Sequence, residues 1–399
     1  MKVLYIATSF PEPQKGATIY TDLAEALHGA GHEITVVVSE QKRNKEKTEL
    51  GNERGFEVLR VVTGNYYDVS LIEKGITSLR MPLVMKKEMK RHLQNRKFDF
   101  ILFESPPVTN ASLVAWAKRH FNCPAYLMLK DIFPQNAADL GIMKKSSPIY
   151  TFFSKKEKAL YRTADWIGVM SEANRNFILA NNESIDPKKV EIFPNTKKVQ
   201  DIMVAETNLV MREKLGIPKQ ATVFLFGGNM GRPQYIELLC EAVKECKEEQ
   251  DIFFLFIGRG TDRYRLDNVI KEHEIKNALL LENLPRDKFE QITREIDVGL
   301  IILDSRFTIP NYPSRILSYM EYGKPVLAAT DRVTDIKELI EDANCGEWVW
   351  SGDSKAFIES IRKMSANESL SSQGQNGRKY LEQSFTVERS VKILEKHFN

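Results

Sequence analysis

Short runs of Val, Ile, Leu and Phe alternate with segments of helical apolar period along nearly the whole chain. This is the pattern of doubly wound parallel sheets, whose strands are apolar because both faces are covered. A first series of strands is predicted at KVLYIAT from Lys2, EITVVVS from Glu33, EVLRVVT from Glu57, FDFILFE from Phe98, PAYLMLK from Pro124, DWIGVMS from Asp165 and VEIFP from Val190. Between the first two, Ala17, Tyr20, Leu23, Ala24 and Leu27 make one apolar helix face. A second series restarts with TVFLFGG at Thr222 and runs through FFLFIGRG, ALLLENL, VGLIILD and PVLAATD. Pro194 and Asn195 close the first series, and the polar stretch to Thr207 reads as the connection between two Rossmann-like domains. The charged stretch QKRNKEKTE reads as a loop. Near the end, after the polar, Gly-containing segment SSQGQNGRK, a last helix is expected, where Val387, Val391, Leu394 and Phe398 at helical spacing need a surface to cover.

A length of 399 residues supports two domains with cores of their own. Fifty-seven Lys and Arg against 54 Asp and Glu leave a net charge of +3, too balanced for a chain that binds nucleic acid along its length. The four cysteines, Cys123, Cys240, Cys246 and Cys345, lack the spacing of a zinc site or a disulfide framework. No apolar run approaches the roughly 20 residues of a membrane span, and the chain opens directly on a strand. A cytoplasmic location is expected.

Several segments carry candidate chemistry. GGNMGRP, Gly227 to Pro233, lies between a buried strand and a helix, where free amides and Arg232 suit a diphosphate; tight strand-to-helix packing alone would also call for its glycines. It matches neither the dinucleotide fingerprint nor a Walker loop. IGRGTD, from Ile257, is a second glycine turn at a strand end, and Gly16 a third before the first helix. In NYPSRILSYMEYGKPV, Pro313 and Ser314 open a helix with Arg315 in its first turn. A cation there opposes the helix dipole unless an anion is held nearby. Lys130 and Asp131 end a parallel strand, where open α/β sheets place their ligand crevice; Asp131 is either a site residue or the cap of the following turn. The six histidines suggest no metal site, and no D-x-D pair or G-x-S-x-G elbow is present. From Lys74 to Lys97, eight basic residues face one acid, Glu88, with Leu79, Met81, Leu83, Val84, Met85, Met89 and Leu93 interleaved. Such a helix suits an anionic membrane surface, or is the solvated face of a sheet-covering helix. Residues 1–195 carry 28 bases and 22 acids, net +6, leaving 29 and 32, net −3, for the rest.

PSRILSYMEYGKPVLAATD, preceded by the GGNMGRP, IGRGTD and LENLPRDKFEQI series, resembles the glycosyltransferases of family 4, which have the GT-B fold. SF-PEPQKGATIY with LAEALHGAGHEITVVV is similar to the family's opening strand, glycine turn and helix. ESPPVTNASLVAWAKRH and KDIFPQNAADLG look like its bacterial surface-polysaccharide branch. The resemblance implies an α/β architecture of two Rossmann-like domains facing a cleft, 1–195 with a C-terminal helix 384–399 crossing back to it, and 196–383. It further implies a UDP-sugar bound mainly by the second domain and an acceptor on the first. The residues it assigns to the donor are Gly16, Gly228, Asn229, Gly258, Arg259, Leu284, Pro310, Tyr312, Ser314, Ile316 and Ser318. Glu104 and Lys130 fall on the acceptor side, and Asp131, Arg232 and Arg315 take the catalytic places.

The family pairs two glutamates whose positions here are Pro310 and Ser318, neither acidic, so contacts to the donor sugar and ribose differ in this chain. Asn229 and Gln234 stand where an Arg and a Lys often cradle the diphosphate, leaving Arg232 and Arg315 to neutralise the leaving UDP. The activity implied is transfer of a sugar from a UDP-sugar to a lipid-linked or saccharide acceptor in capsule or O-antigen type assembly, retaining and independent of metal or other cofactor. The protein would then be peripheral on the inner face of the cell membrane. A UDP-sugar epimerase on the same fold and a non-catalytic sugar-nucleotide-binding regulator are the alternatives.

Overall fold

In the computed structural model, which describes residues 1–66, 69–200 and 210–398, the apolar runs become strands, most of them buried along their length. The first sheet holds β1 (Lys2–Ala7), β2 (Glu33–Glu40), β3 (Glu49–Glu53), β4 (Phe56–Val62), β5 (Phe100–Ser105), β6 (Ala125–Leu129), β7 (Trp166–Val169) and β8 (Val190–Ile192). Their spatial order is β3-β4-β2-β1-β5-β6-β7-β8. All neighbours are parallel except β3 and β4. The second sheet holds β9 (Thr222–Gly227), β10 (Ile252–Ile257), β11 (Ala278–Leu281), β12 (Val298–Ile302), β13 (Val326–Thr330) and β14 (Gly346–Trp350), in the order β11-β10-β9-β12-β13-β14. The chain separates into two units, Met1–Lys198 with Thr386–Asn399, and Val199–Phe385.

Strand order reverses once in each sheet. From β1 the chain first builds outward through β2 and β4, then returns to lay β5 on the other side of β1. From β9 it builds through β10 and β11, then returns to lay β12 beside β9. At such a reversal the two following connections leave in opposite directions, which opens a crevice at the carboxyl ends of the two strands. These crevices lie beyond Ala7 and Ser105 in the first unit and beyond Gly227 and Ile302 in the second.

Four sequence expectations need correction. The charged stretch after β2 is not all loop: it leads into β3, an antiparallel edge strand whose exposed Glu49, half-buried Glu53 and half-buried Leu50 give almost no apolar signal. Strand β14 was not foreseen, because GEWVW is half-buried throughout. SSQGQNGRK, to which the sequence pattern assigned no element, is part of a helix, Leu370–Ser384. Its glycines permit close approach: a methyl at Gly374 would strike the Gly323 carbonyl, and one at Gly377 would crowd Cys345. The basic stretch begins earlier and ends sooner than its charges suggest, as a helix over Leu71–Leu93. Met81, Met85, Met89 and Leu93 face the core, whereas Leu79 and Leu83 point out, and Arg96 and Lys97 lie past its end. Part of the expected connection, residues 201–207, lies outside the described residues.

The last helix, Val387–Glu395, completes the first unit. Val387 donates its amide to the Lys197 carbonyl at 3.1 Å, and the Thr196 and Ser390 hydroxyls meet at 2.7 Å in the interior. Val387, Val391 and Leu394 enter the same core as Tyr5, Phe100 and Tyr126, and Phe398 packs edge-on to Phe100 at 4.8 Å.

Candidate functional site

In the second unit the crevice is built of backbone. Gly228 has φ +119°, Gly258 +156° and Gly260 +155°, conformations that favour glycine. The turn after β9 and the turn after β10 nest together: Gly228 donates to Ile257 at 2.8 Å, Met230 to Arg259 at 2.7 Å, and Asp262 to Met230 at 2.9 Å. A side chain at Gly258 would collide with the Gly228 carbonyl, and one at Gly260 with the Met230 backbone. The glycines of IGRGTD are thus explained by packing against GGNMGRP. Asp304, just past β12, donates its amide to the Pro233 carbonyl at 3.0 Å, which ties the third strand end to the same turn.

Arg315 comes to this turn from the start of the seven-residue helix Arg315–Glu321. Its guanidinium lies over the Phe226 ring, 4.6 Å from the centroid, and its Nη2 is 3.4 Å from where a Gly228 side chain would begin. Its Nη1 is buried and has no hydrogen-bond partner. Burial disfavours its charged form and lowers its pKa from the usual arginine value. A guanidinium cannot shed its proton near neutrality, so an unpaired buried donor of this kind is a standing cost that a bound anion would remove.

The other donor candidates divide. Asn229 and Gln234 bond to each other at 3.0 Å, and Gln234 also accepts from the Gly231 amide at 3.3 Å, so they brace the turn. Arg232 is exposed on the turn itself. Arg259 is exposed and pairs with Glu282 at 3.2 Å; Leu284 follows in the same connection, half-buried. Ser314 is exposed and Ser318 half-buried. Pro310 and Tyr312 are buried, and Ile316 is wholly enclosed, leaving it only its backbone for a ligand. Gly16 is in the first unit, with φ +106° and its carbonyl held by Arg54.

The first unit's crevice is built of side chains. Glu104, on β5 at the strand reversal, is buried, with Oε1 accepting from the Thr8 amide at 2.6 Å and Oε2 lacking a partner. Desolvation raises its pKa to about 7, against the opposing effects of the Thr8 bond and Lys130. Lys130, just past β6, has its pKa lowered to about 7 by burial, partly offset by Glu104; its Nζ lies 5.2 Å from the Phe193 ring centroid. Asp131 accepts from Asn136 Nδ2 at 2.7 Å, and burial raises its pKa to about 6. It does not cap the helix Gln135–Asp139, whose cap position is Pro134. Tyr66, Glu157 and Tyr161 are close enough to feel its charge. Sequence reasoning missed Thr8 and Phe226. Thr8 follows β1 at the reversal, a position recoverable from strand order; Phe226 looks like any core residue of β9 until Arg315 is found above it.

Two family models match most of the chain: Glycosyltransferase Family 4 over residues 16–196 and Glycosyl transferases group 1 over 208–380. The chain belongs to this glycosyltransferase family, with two Rossmann-like domains of the GT-B fold. It is 27% identical over 270 residues to "Probable glycosyltransferase WbjE" of Pseudomonas aeruginosa, covering 65% of this chain and 64% of the relative. It is 20% identical over 187 residues to "Putative colanic acid biosynthesis glycosyl transferase WcaI" of Escherichia coli K12, covering 46% and 45%. The chain thus spans less than two thirds of these relatives' lengths. Among solved structures, Anabaena Alr3699/HepE in complex with UDP-glucose superposes with a TM-score of 0.73 at 16% identity, over 100% of this chain and 99% of that one.

Proposed function

We propose that the chain moves a sugar from a UDP-sugar to a lipid-linked or saccharide acceptor in the assembly of a capsule or O-antigen type surface polysaccharide. The observation that carries this reading is the buried, unpartnered Nη1 of Arg315 against the Gly228 turn at the strand reversal of the second unit. A nucleoside diphosphate supplies what that position lacks: a multivalent anion small enough for a glycine turn. The relatives' names and the UDP-glucose bound to Alr3699/HepE support the choice of substrate class. Arg315 and the exposed Arg232 neutralise charge on the departing UDP, the main electrostatic task of the step, without a metal. Asp131 accepts a hydrogen bond from the incoming hydroxyl, and Glu104 and Lys130 shape the acceptor crevice. Transfer proceeds with retention, the family's outcome.

The work is done at the inner face of the cell membrane, where the basic helix Leu71–Leu93 meets a lipid-linked acceptor. No helix among the described residues is long and apolar enough to cross a membrane. The test is UDP release from a panel of UDP-sugars with and without acceptor. Release that depends on acceptor is expected; interconversion of the sugar without release would indicate an epimerase, and binding without either a regulator.

A further inference from the structure

The outward face of the helix Leu71–Leu93 is not simply basic. Ile72, Ile76, Leu79 and Leu83 are 77%, 53%, 47% and 67% exposed. Their spacing of four, three and four residues keeps them on one stripe. Continued by four and three more, the same stripe passes through Lys87 and Lys90, both exposed. Arg80 flanks its apolar part. The opposite face, with Met81, Met85 and Met89, is fully enclosed, so the helix needs none of the four outward aliphatics for its own packing. Of its two acids, Glu88 is buried and Glu73, exposed, is bonded to Asn65 at the helix start.

The apolar half of the stripe lies at the crevice end of the sheet. Pro82 has no amide for the Ser78 carbonyl, and that carbonyl instead accepts from the buried Thr109 hydroxyl at 2.6 Å. Thr109 belongs to the turn Val108–Asn110 that follows β5 and Glu104. The same turn packs against the helix Pro148–Thr163. That helix exposes Ile149 and Phe152, 56% and 40%, with Lys155 exposed beyond them and Lys156 lying 5.4 Å from the Phe152 ring centroid. Ile142, Lys144 and Lys145, all exposed, come just before it. Two elements held by one turn therefore present the same combination of aliphatic or aromatic side chains with lysines.

The geometry points to an anionic lipid surface as the occupant of this face, entered by Ile72, Ile76, Leu79 and Leu83 and by Ile149 and Phe152, with the lysines and Arg80 at headgroup level. The inference rests on the acceptor reading of the first unit's crevice, and adds that docking is driven by insertion as well as by charge. Charge decides between a bilayer and a second copy of the chain: two such faces would set lysine against lysine, whereas acidic headgroups complement both elements. Lys86 and Lys90 lie 5.6 and 5.9 Å from the Trp116 ring centroid, so their loss would disturb packing too; Arg80 and Lys87 are the cleaner charge probes.

The test is cosedimentation of the full chain with vesicles of phosphatidylethanolamine and phosphatidylglycerol, and with phosphatidylcholine alone. Leu79→Ser/Leu83→Ser should lower partition onto the acidic vesicles by at least about tenfold, the scale of withdrawing two leucines from an apolar phase. Arg80→Gln/Lys87→Gln should lower it by a similar factor at low salt and by less at high salt. Both variants should keep the parent's UDP affinity and its turnover on a soluble acceptor analogue, which separates loss of docking from failure of the transferase reading. Vesicle binding unchanged in Leu79→Ser/Leu83→Ser, or a parent dimer that this variant converts to monomer in the absence of lipid, would overturn the inference.

Discussion

The two crevices occupy the same topological place and are made of opposite materials. In the second unit, glycine turns whose amides are spent on nesting against each other border the crevice together with one unpartnered guanidinium, and none of these changes charge near neutral pH. In the first unit, Glu104, Lys130 and Asp131 have all been moved by burial toward neutrality, to about 7, about 7 and about 6. A strand reversal supplies an opening, and its chemistry depends on whether backbone or titratable side chains border it. A fixed cradle suits a constant group such as a diphosphate. Tunable carboxylates suit a hydroxyl whose proton must be accepted during reaction.

This difference can be broken most forcefully at Asp131. Asp131→Asn should lower turnover by about 10²–10⁴-fold, the usual range for loss of a positioned proton acceptor, with UDP-sugar affinity retained. In the parent, a carboxylate with pKa raised to about 6 is present above that pH and lost as pH falls through it, so kcat/KM should show an acid limb near 6. UDP-sugar affinity should stay flat across the same window. A pH-dependent affinity with pH-independent turnover would reverse the assignment of the two crevices.

The next largest effect belongs to the fixed cradle. Gly258→Ala forces a methyl into the Gly228 carbonyl at φ +156° and should destabilise the second unit by more than about 3 kcal/mol, measured by denaturant unfolding. A loss below 1 kcal/mol (roughly the scale of an ordinary surface change) would mean the turns are not rigidly nested.

Glu104→Gln, Lys130→Met and the double variant sharpen the view of the first crevice. Each single change leaves the other group buried without its opposite charge, so the double variant should be less destabilised than the sum of the singles, by about 0.5–3 kcal/mol. Additive losses would show that the two charges do not communicate. The smallest effect serves as a control: Gly75 lies in open space within the helix Leu71–Leu93, and Gly75→Ala should stabilise by about 0.5–1 kcal/mol without altering UDP binding.

Most strands of both sheets were legible because they are apolar runs bounded by turn residues, and their ends drew attention to Gly228, Lys130 and Asp131, which the structure places just past β9 and β6. Elements whose burial is shared between faces escaped: β3 carries charge at an edge, and β14 is half-covered. The helix Leu370–Ser384 was hidden because its glycines answer to neighbours distant in sequence, Gly323 and Cys345. Arg315 stood out as a first-turn cation, but the reason it matters is its position over Phe226 with an unpartnered Nη1, which only three-dimensional packing reveals. The basic stretch was visible as charge, whereas the division between Met81, Met85 and Met89 inside and Ile76, Leu79 and Leu83 outside depends on which face the sheet takes.

The central claim is that the second unit's crevice is a diphosphate site completed by Arg315. The most direct test is calorimetric titration of UDP into the parent and into Arg315→Met, which keeps an apolar side chain over Phe226. Loss of a charge-assisted hydrogen bond should weaken UDP by about 1.5–3 kcal/mol, roughly 10- to 150-fold, while the ligand-free variant unfolds at no lower temperature than the parent because an unpaired buried charge has been removed. Equal UDP affinity in the two proteins would contradict the account.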